Sequence, residues 1–346
     1  VEPVNATLVA ESGDVCWLRA DVALAAAARR EAGRLARGVC LPEARVADLE
    51  LCVTELATNL LKYADDGSLV LRVVRSRDRA AMECLSLDSG PGIADVQRAL
   101  RDGMSASGSL GVGMGTVTRL ADVSGVHSLH GRGTAVYARF WAEEPFAPVG
   151  PVDVGGLTRP IGGEQVCGDG WAVRTAGDGD ALLLLMCDGL GHGPLAARAA
   201  ERARSAFRDS RRTEPAAVLA DVHQALRGTR GAAVAIALVD PTARRVRLSG
   251  AGNVSALVAT PDGRSSLPSL PGIVGVQLPR PRTFEAAFPP GAALIMHSDG
   301  LNDRWKPADF PGLFGQAPAL VAAQIFNQAA VRRDDAGIVV AVHRQP

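Results

Sequence analysis

The sequence predicts an α/β (α+β) protein of two domains, with helices packed on a sheet in the front half and a strand-rich back half. Three observations carry this expectation. The chain has 346 residues, enough for about two domains of ordinary size, each burying its own core. A stretch rich in proline and glycine interrupts all periodicity near the middle. Before it, long apolar patterns recur at helical spacing, and after it shorter apolar runs end in turn residues.

Each element follows in order. DVALAAAARREAGRLARG and EARVADLELCVTELATNLLKYA place apolar residues on one helical face, and glycine or an aspartate turn closes each. SLVLRVVRS, AMECLSLDS and TAVYARFWA are the shorter, β-branched-containing runs of strands. The seam is EEPFAPVGPVDVGG, whose three prolines and three glycines favour an extended, solvated connection. The expected division is residues 1–143, a linker at 144–155, and residues 156–346. No repeat or low-complexity tract suggests disorder elsewhere.

Composition narrows the function classes. Lysine plus arginine (37) balances aspartate plus glutamate (37), so no global field favours nucleic acid or an anionic membrane, and neither is expected as a partner. Runs such as ALLLLMC fall far short of the roughly 20 residues that span a bilayer, and the N-terminus lacks a basic-then-apolar signal pattern. A soluble, cytoplasmic protein is expected. The cysteines at 16, 40, 52, 84, 167 and 187 lie far apart without a CxxC pair, which reads as reduced core residues rather than a zinc site.

In the front half, Glu55, Asn59 and Tyr63 are spaced by four, so they project from one helix face in successive turns. Downstream lie DSGPGI and GSLGVGMGTVTRLAD. Glycine lets a main chain approach a ligand closely, and amides at a helix start attract phosphate oxygens. ELATNLLKYA, DSGPGI, GVGMG and GRGTA occur in the order of the boxes of the GHKL ATP-binding superfamily. Residues 15 to 142 resemble the serine kinases of bacterial partner switching, of the RsbT type, and RDGMSASGSLG resembles their lid. The resemblance implies a GHKL (Bergerat) α/β sandwich that binds ATP with Mg2+. It implies that Asn59 holds magnesium, that Asp88 accepts from the adenine amino group, and that Gly90 and Gly92 keep the pocket floor open. Gly111, Gly113 and Gly115 would form the lid over the phosphates, Thr134 would line the adenine side, and Glu55 would polarise a substrate serine as general base.

In the back half, VCGDGW, CDGLGHG, HSDGLND and RRDDAGIVV each set an aspartate beside glycine at the edge of an apolar run. One Asp-Gly is an ordinary turn. Repeated in this way, Asp169, Asp188, Asp299 and Asp334 become candidate ligands, and oxygen donors suit Mg2+ or Mn2+ rather than zinc or copper. The order of these motifs resembles the PPM metal-dependent serine/threonine phosphatases in their SpoIIE branch, in a compact RsbX-like form. That implies an α-β-β-α sandwich whose family attacks with water held between two metal ions, so no cysteine or serine nucleophile is required. Asp188 would bridge both ions, Gly189 would offer its carbonyl, and Asp169, Asp299 and Asp334 would complete the set. Ala172 stands where many relatives carry a further acid. Asp303 and Asp335 are expected to support the set or face solvent, and His192 to act as a local hydrogen-bond partner.

The expected function is a bifunctional regulator whose front half phosphorylates, and whose back half dephosphorylates, serine or threonine on a STAS-domain partner. The alternative expectation is a phosphatase whose front half only senses ATP or holds a protein such as a sigma-factor regulator.

Overall fold

The computed structural model describes residues 8–13, 15–76, 79–100, 113–143, 150–177, 179–260, 262–331 and 333–345. They divide into two compact units. The front unit gathers the described residues of Gly13–Ala147 and Ala323–Gln328, and the back unit gathers the rest. The elements run β1 (Leu8–Glu11), β2 (Val15–Arg19), α1 (Leu24–Gly38), α2 (Glu43–Tyr63), β3 (Gly67–Ser76), β4 (Arg79–Asp88), α3 (Val96–Leu100), α4 (Met114–Leu120), β5 (Val123–Leu129) and β6 (Gly133–Trp141). They continue with β7 (Val152–Arg159), β8 (Asp169–Thr175), β9 (Leu182–Gly189), α5 (Pro194–Asp209), α6 (Pro215–Leu226), β10 (Ala232–Asp240), β11 (Arg245–Ala251), β12 (Ser255–Thr260), β13 (Gly263–Ser266), β14 (Phe284–Ala287), β15 (Ala293–His297), α7 (Pro318–Ala329) and β16 (Ala336–His343).

The front unit is a five-stranded antiparallel sheet in the order β2-β3-β4-β6-β5. Alternation decides which face the helices cover. Leu69, Leu71, Val73, Met82, Cys84, Val136, Ala138 and Phe140 share one core with Leu24, Ala28, Ala32 and Leu35 of α1 and Val46, Leu49, Val53, Leu56 and Leu60 of α2. The helical residues recur at three- and four-residue intervals, the stripe an amphipathic helix needs.

The intervening strand positions carry a buried charge network. Glu83 faces Arg72 on β3 and Arg139 on β6 across the ladders. It accepts from Arg72 Nε (2.6 Å), Arg139 Nε (2.8 Å) and the Tyr137 hydroxyl (2.9 Å). Burial alone would raise the Glu83 carboxyl, but the two guanidiniums outweigh it and hold it at about 2.

The back unit stacks two antiparallel sheets, β1-β8-β9-β10-β11-β14 and β13-β12-β15-β16-β7. Their facing side chains, including Trp171, Val173, Leu184, Met186 and Ala235 from one and Ala256, Val258, Leu294, Met296 and Val339 from the other, form the central core. The alternate residues of the first sheet, Leu183, Leu185, Cys187, Val234 and Ile236, pack against Ala199, Ala203 and Phe207 of α5 and Val218, Leu219 and Val222 of α6. The start of α7 lies on the outer side of the second sheet, where a Cβ on Gly155 would come 2.6 Å from the Ala319 nitrogen.

Two boundaries differ from expectation. Residues Val152 to Gly155, assigned to the linker, already belong to β7, which pairs along its whole length with β16; Gly155 lets the start of α7 close on the strand, and Gly156 leaves room for the Trp171 ring. Leu8–Glu11, assigned to the front domain, pairs with β8 instead, and the Ser12 hydroxyl donates to the Trp171 carbonyl (3.2 Å). The six cysteines are free, and among the described residues no helix is long and apolar enough to cross a membrane.

The Glu83 network generates a prediction. Because its folded value lies below the ordinary 4.5, its contribution is present above about pH 4.5 and is lost as pH falls toward 2. Glu83→Gln should destabilise the front unit by about 3 kcal/mol or more at pH 7. Hydrogen exchange at the β3 and β4 amides should report this, and the gap to the unsubstituted protein should close as the pH is lowered through that window.

Candidate functional sites

In the front unit, α2 presents Glu55 and Asn59 one turn apart and both half-buried, while Tyr63 at the helix end is exposed. Burial raises the Glu55 carboxyl above its ordinary value, against a smaller opposing pull from Lys62. Asp88 ends β4, and its Oδ1 accepts the N–H of Gly90 (2.8 Å) and of Thr134 (3.2 Å). Burial raises Asp88 as well, with those two amides pulling the other way.

The loops around Asp88 are tied together. Ile93 donates its N–H to Ser128 Oγ (2.7 Å), which lies 2.9 Å from Thr134 Oγ1, and Gly92 sits against the Leu129 carbonyl. Gly133 has φ +97°, and a Cβ on it would stand 1.8 Å from the Asp88 carbonyl oxygen. Only glycine permits that approach, so the GRGTA turn is fitted to the strand end that carries Asp88. Gly113 is the N-cap of α4 and Gly115 is buried within that helix. Gly115 is thus helical rather than part of a lid loop, because the pattern from Met114 onward already repeats as a helix. Gly111 lies outside the described residues.

In the back unit, pairing collects the aspartates. Asp169 opens β8 and Asp188 stands near the end of β9, and the two are direct partners across the ladder. Asp299 follows β15, and Asp334 and Asp335 precede β16, whose pairing with β15 joins His297 to Ile338. Ser298 links the two sheets at this end: its hydroxyl donates to Asp169 Oδ2 (2.5 Å) and accepts the Gly337 N–H (3.0 Å). A Cβ on Gly337 would come 2.6 Å from Met186 Cε and 3.0 Å from Asp169 Cβ, so the sheets close here only over glycine. Gly189 ends β9 and donates its N–H to the Gly168 carbonyl (3.0 Å).

The electrostatics are those of crowded acids. Burial, then Asp188, push the Asp169 carboxyl well above its ordinary range, with Ser298 opposing. Burial, then Asp299 and Asp334, push Asp188 up to about 7. Asp335, expected to support the set or face solvent, is buried beside it; it accepts from the Ile161 N–H (2.7 Å) and the Gly168 N–H (2.9 Å), and burial raises it too. Asp169 Oδ1 is buried with no hydrogen-bond partner. Among the described residues no three His, Cys, Asp or Glu side chains close to the spacing of a metal cage. The donor set is nonetheless all oxygen and short of positive charge, which fits hard divalent cations.

The motifs did not flag two donors nearby: Asn253, whose amide donates to Asp299 Oδ2 (2.6 Å), and Ser255, whose Oγ donates to Asp303 Oδ2 (2.9 Å). His192 Nδ1 lies 3.1 Å from Glu164 Oε1. Ala172 is a buried core residue of β8.

Comparison with known proteins gives these sites their context. The family Histidine kinase-like ATPase domain matches residues 18–140, and Stage II sporulation protein E (SpoIIE) matches residues 178–340. The serine/threonine-protein kinase RsbT of Bacillus subtilis (strain 168) is 36% identical over 95 residues, 28% of this chain and 71% of RsbT. The phosphoserine phosphatase RsbX of the same organism is 26% identical over 141 residues, 40% of this chain and 70% of RsbX. The chain fuses an RsbT-like ATPase domain to a SpoIIE-type phosphatase domain.

A solved chain from a bacterial stressosome system adapted to control secondary messenger signalling is 30% identical to the fusion, with a TM-score of 0.50, over 55% of this chain and 98% of that one. The ATPase-domain match falls in the front unit of the fusion and the SpoIIE match falls mostly in the back unit.

Burial, then the crowding of acids, sets the pH behaviour expected of the SpoIIE-type domain. An aspartate raised from 3.8 to about 7 favours the folded state at low pH and loses that contribution as pH rises through 7. With divalent ions removed by a chelator, the melting temperature of this domain should fall between about pH 4 and pH 7. Asp188→Asn should raise it at pH 8, as read by differential scanning calorimetry.

Proposed function

We propose that the fusion is a bifunctional partner-switching regulator: an ATP-dependent protein serine/threonine kinase in front and a metal-dependent phosphoserine/phosphothreonine phosphatase behind. The observation that carries the second half is the pairing of Asp169 with Asp188 beside Asp299, Asp334 and Asp335, with a buried Asp169 oxygen left without a partner. In this reading Asp188, Asp169, Asp299, Asp334 and the Gly189 carbonyl would hold Mn2+ or Mg2+, with two ions expected. Bound there, the ions supply Lewis-acid activation of water and neutralisation of the phosphoryl oxygens. The chain's own contribution is to hold the acids in place: Ser298 orients Asp169, Asn253 orients Asp299, and the Ile161 and Gly168 amides fix Asp335.

For the front half, Asn59 holds the Mg2+ of ATP, Asp88 and Thr134 take the adenine side with Gly90 and Gly92, and Gly113 and Gly115 lie toward the phosphates. The Glu55 carboxylate accepts the proton of the substrate serine. Its burial-raised value supports that role, since a general base works best near the ambient pH. The substrates proposed are STAS-domain proteins, on the strength of the kinship to RsbT and RsbX, and a cytoplasmic location belongs to the same reading.

Labelled ATP and a purified STAS-domain partner test both halves. Asp188→Asn should lower manganese-dependent dephosphorylation of the partner by more than about 100-fold and let transferred label accumulate. Adding Glu55→Ala should abolish the label. Undiminished hydrolysis by Asp188→Asn would overturn the phosphatase assignment, and absence of label in that variant would reduce the front half to an ATP-sensing or protein-binding module.

A further inference from the structure

The acid cluster poses a problem for any phosphorylated substrate: the carboxylates that would gather cations also repel a phosphate dianion. A positive side chain on the same end of the sheet would relieve this, and Arg230 lies over the loop that follows Asp188. The ladder between β9 and β10 pairs Asp188 with Ala233 and Gly189 with Ala232, and Leu190 then donates its N–H to the Gly231 carbonyl (3.1 Å). One step further, Arg230 meets Gly191. Gly191 has φ +86°, and a Cβ on it would lie 3.0 Å from Arg230 Nη1, so the guanidinium lies over the main chain of the DGLGHG loop. Along an extended strand the three residues from Asp188 to Gly191 span at most about 10 Å.

The main chain at Arg230 is pinned on both sides. Thr229 Oγ1 donates to the Leu226 carbonyl (2.6 Å) and accepts the Gly231 N–H (3.0 Å), while Ala232 exchanges hydrogen bonds with Val274. The side chain is exposed, and among the described residues it has no acidic partner. His192, the other cationic candidate on this loop, is engaged by Glu164 at 3.1 Å. An exposed guanidinium over the loop that follows Asp188 presents a planar fork of donors matched to phosphoryl oxygens.

We propose that Arg230 binds the phosphoryl group of the phosphoserine or phosphothreonine substrate, a role that rests on the phosphatase reading of this site. It touches two phosphoryl oxygens and draws the dianion over the DGLGHG loop, and its absence weakens phosphate binding before it weakens metal binding.

The test uses the intact two-unit chain reloaded with Mn2+, p-nitrophenyl phosphate as substrate and inorganic phosphate as competitive inhibitor. Arg230→Ala should raise KM and the phosphate inhibition constant about 10-fold or more, and leave the Mn2+ concentration for half-maximal activity unchanged. Arg230→Lys should recover part of the loss. Arg227→Ala removes a neighbouring exposed charge from the end of α6 and should leave both constants as they were. Unchanged phosphate inhibition in Arg230→Ala overturns the proposal, as does an equal loss in Arg227→Ala, which would mark a general field rather than a contact. Asp188→Asn run alongside separates the two ideas: activity surviving in it sinks the phosphatase reading, whereas its loss together with an unaffected Arg230→Ala sinks only the role of Arg230.

Discussion

The hydrogen bond from Ser298 to Asp169 joins the two sheets of the back unit at the end where their aspartates gather. It forms because Gly337, which donates to the same hydroxyl, has no side chain to hold the sheets apart. Strand pairing then brings Asp188 beside Asp169, and the return of the second sheet brings Asp299, Asp334 and Asp335. Such a collection of acids is costly to fold, since each charge is stripped of water and faces others of the same sign. The large apolar core between the sheets supplies the stabilisation that lets this end of the sandwich exist.

The front unit meets a related problem with the opposite solution. Glu83 is as deeply buried as Asp169, yet Arg72, Arg139 and Tyr137 surround it and keep it ionised. Its charge is satisfied inside the protein, which makes it part of the scaffold. The Asp169 cluster receives hydrogen bonds but no guanidinium of this kind, and one buried Asp169 oxygen is left without a partner. That difference separates a structural carboxylate from one available to an external ion more clearly than burial does.

Much of this could be read in the sequence because the elements are strongly periodic. The α2 stripe and the β4 run place Glu55, Asn59 and Asp88, and the repeated Asp-Gly strand ends place the acids of the back unit. The rest depended on contacts between residues far apart in the chain. The sequence leaves Asp335 between supporting the set and facing solvent, and the amides of Ile161 and Gly168 decide it; no local pattern announces that Ser298 or Asn253 will reach an aspartate. Gly115 was misplaced because a glycine-rich text does not reveal where a loop yields to a helix. Arg230 carries no motif of its own; only the register of β9 against β10 gives it a neighbour.

The pairing of Leu8–Glu11 with β8 means that the polypeptide contributes an edge strand to the back sheet before it builds the front one. Cutting the chain at the proline-rich seam would therefore not yield two self-sufficient pieces. A fragment beginning at residue 150 would leave the outer backbone amides and carbonyls of β8 open along one side, inviting intermolecular strand addition, and would strip Arg204 and Arg208 of α5 of their partner Glu11. Separating the two activities is better done by point substitution within the intact chain than by dissection.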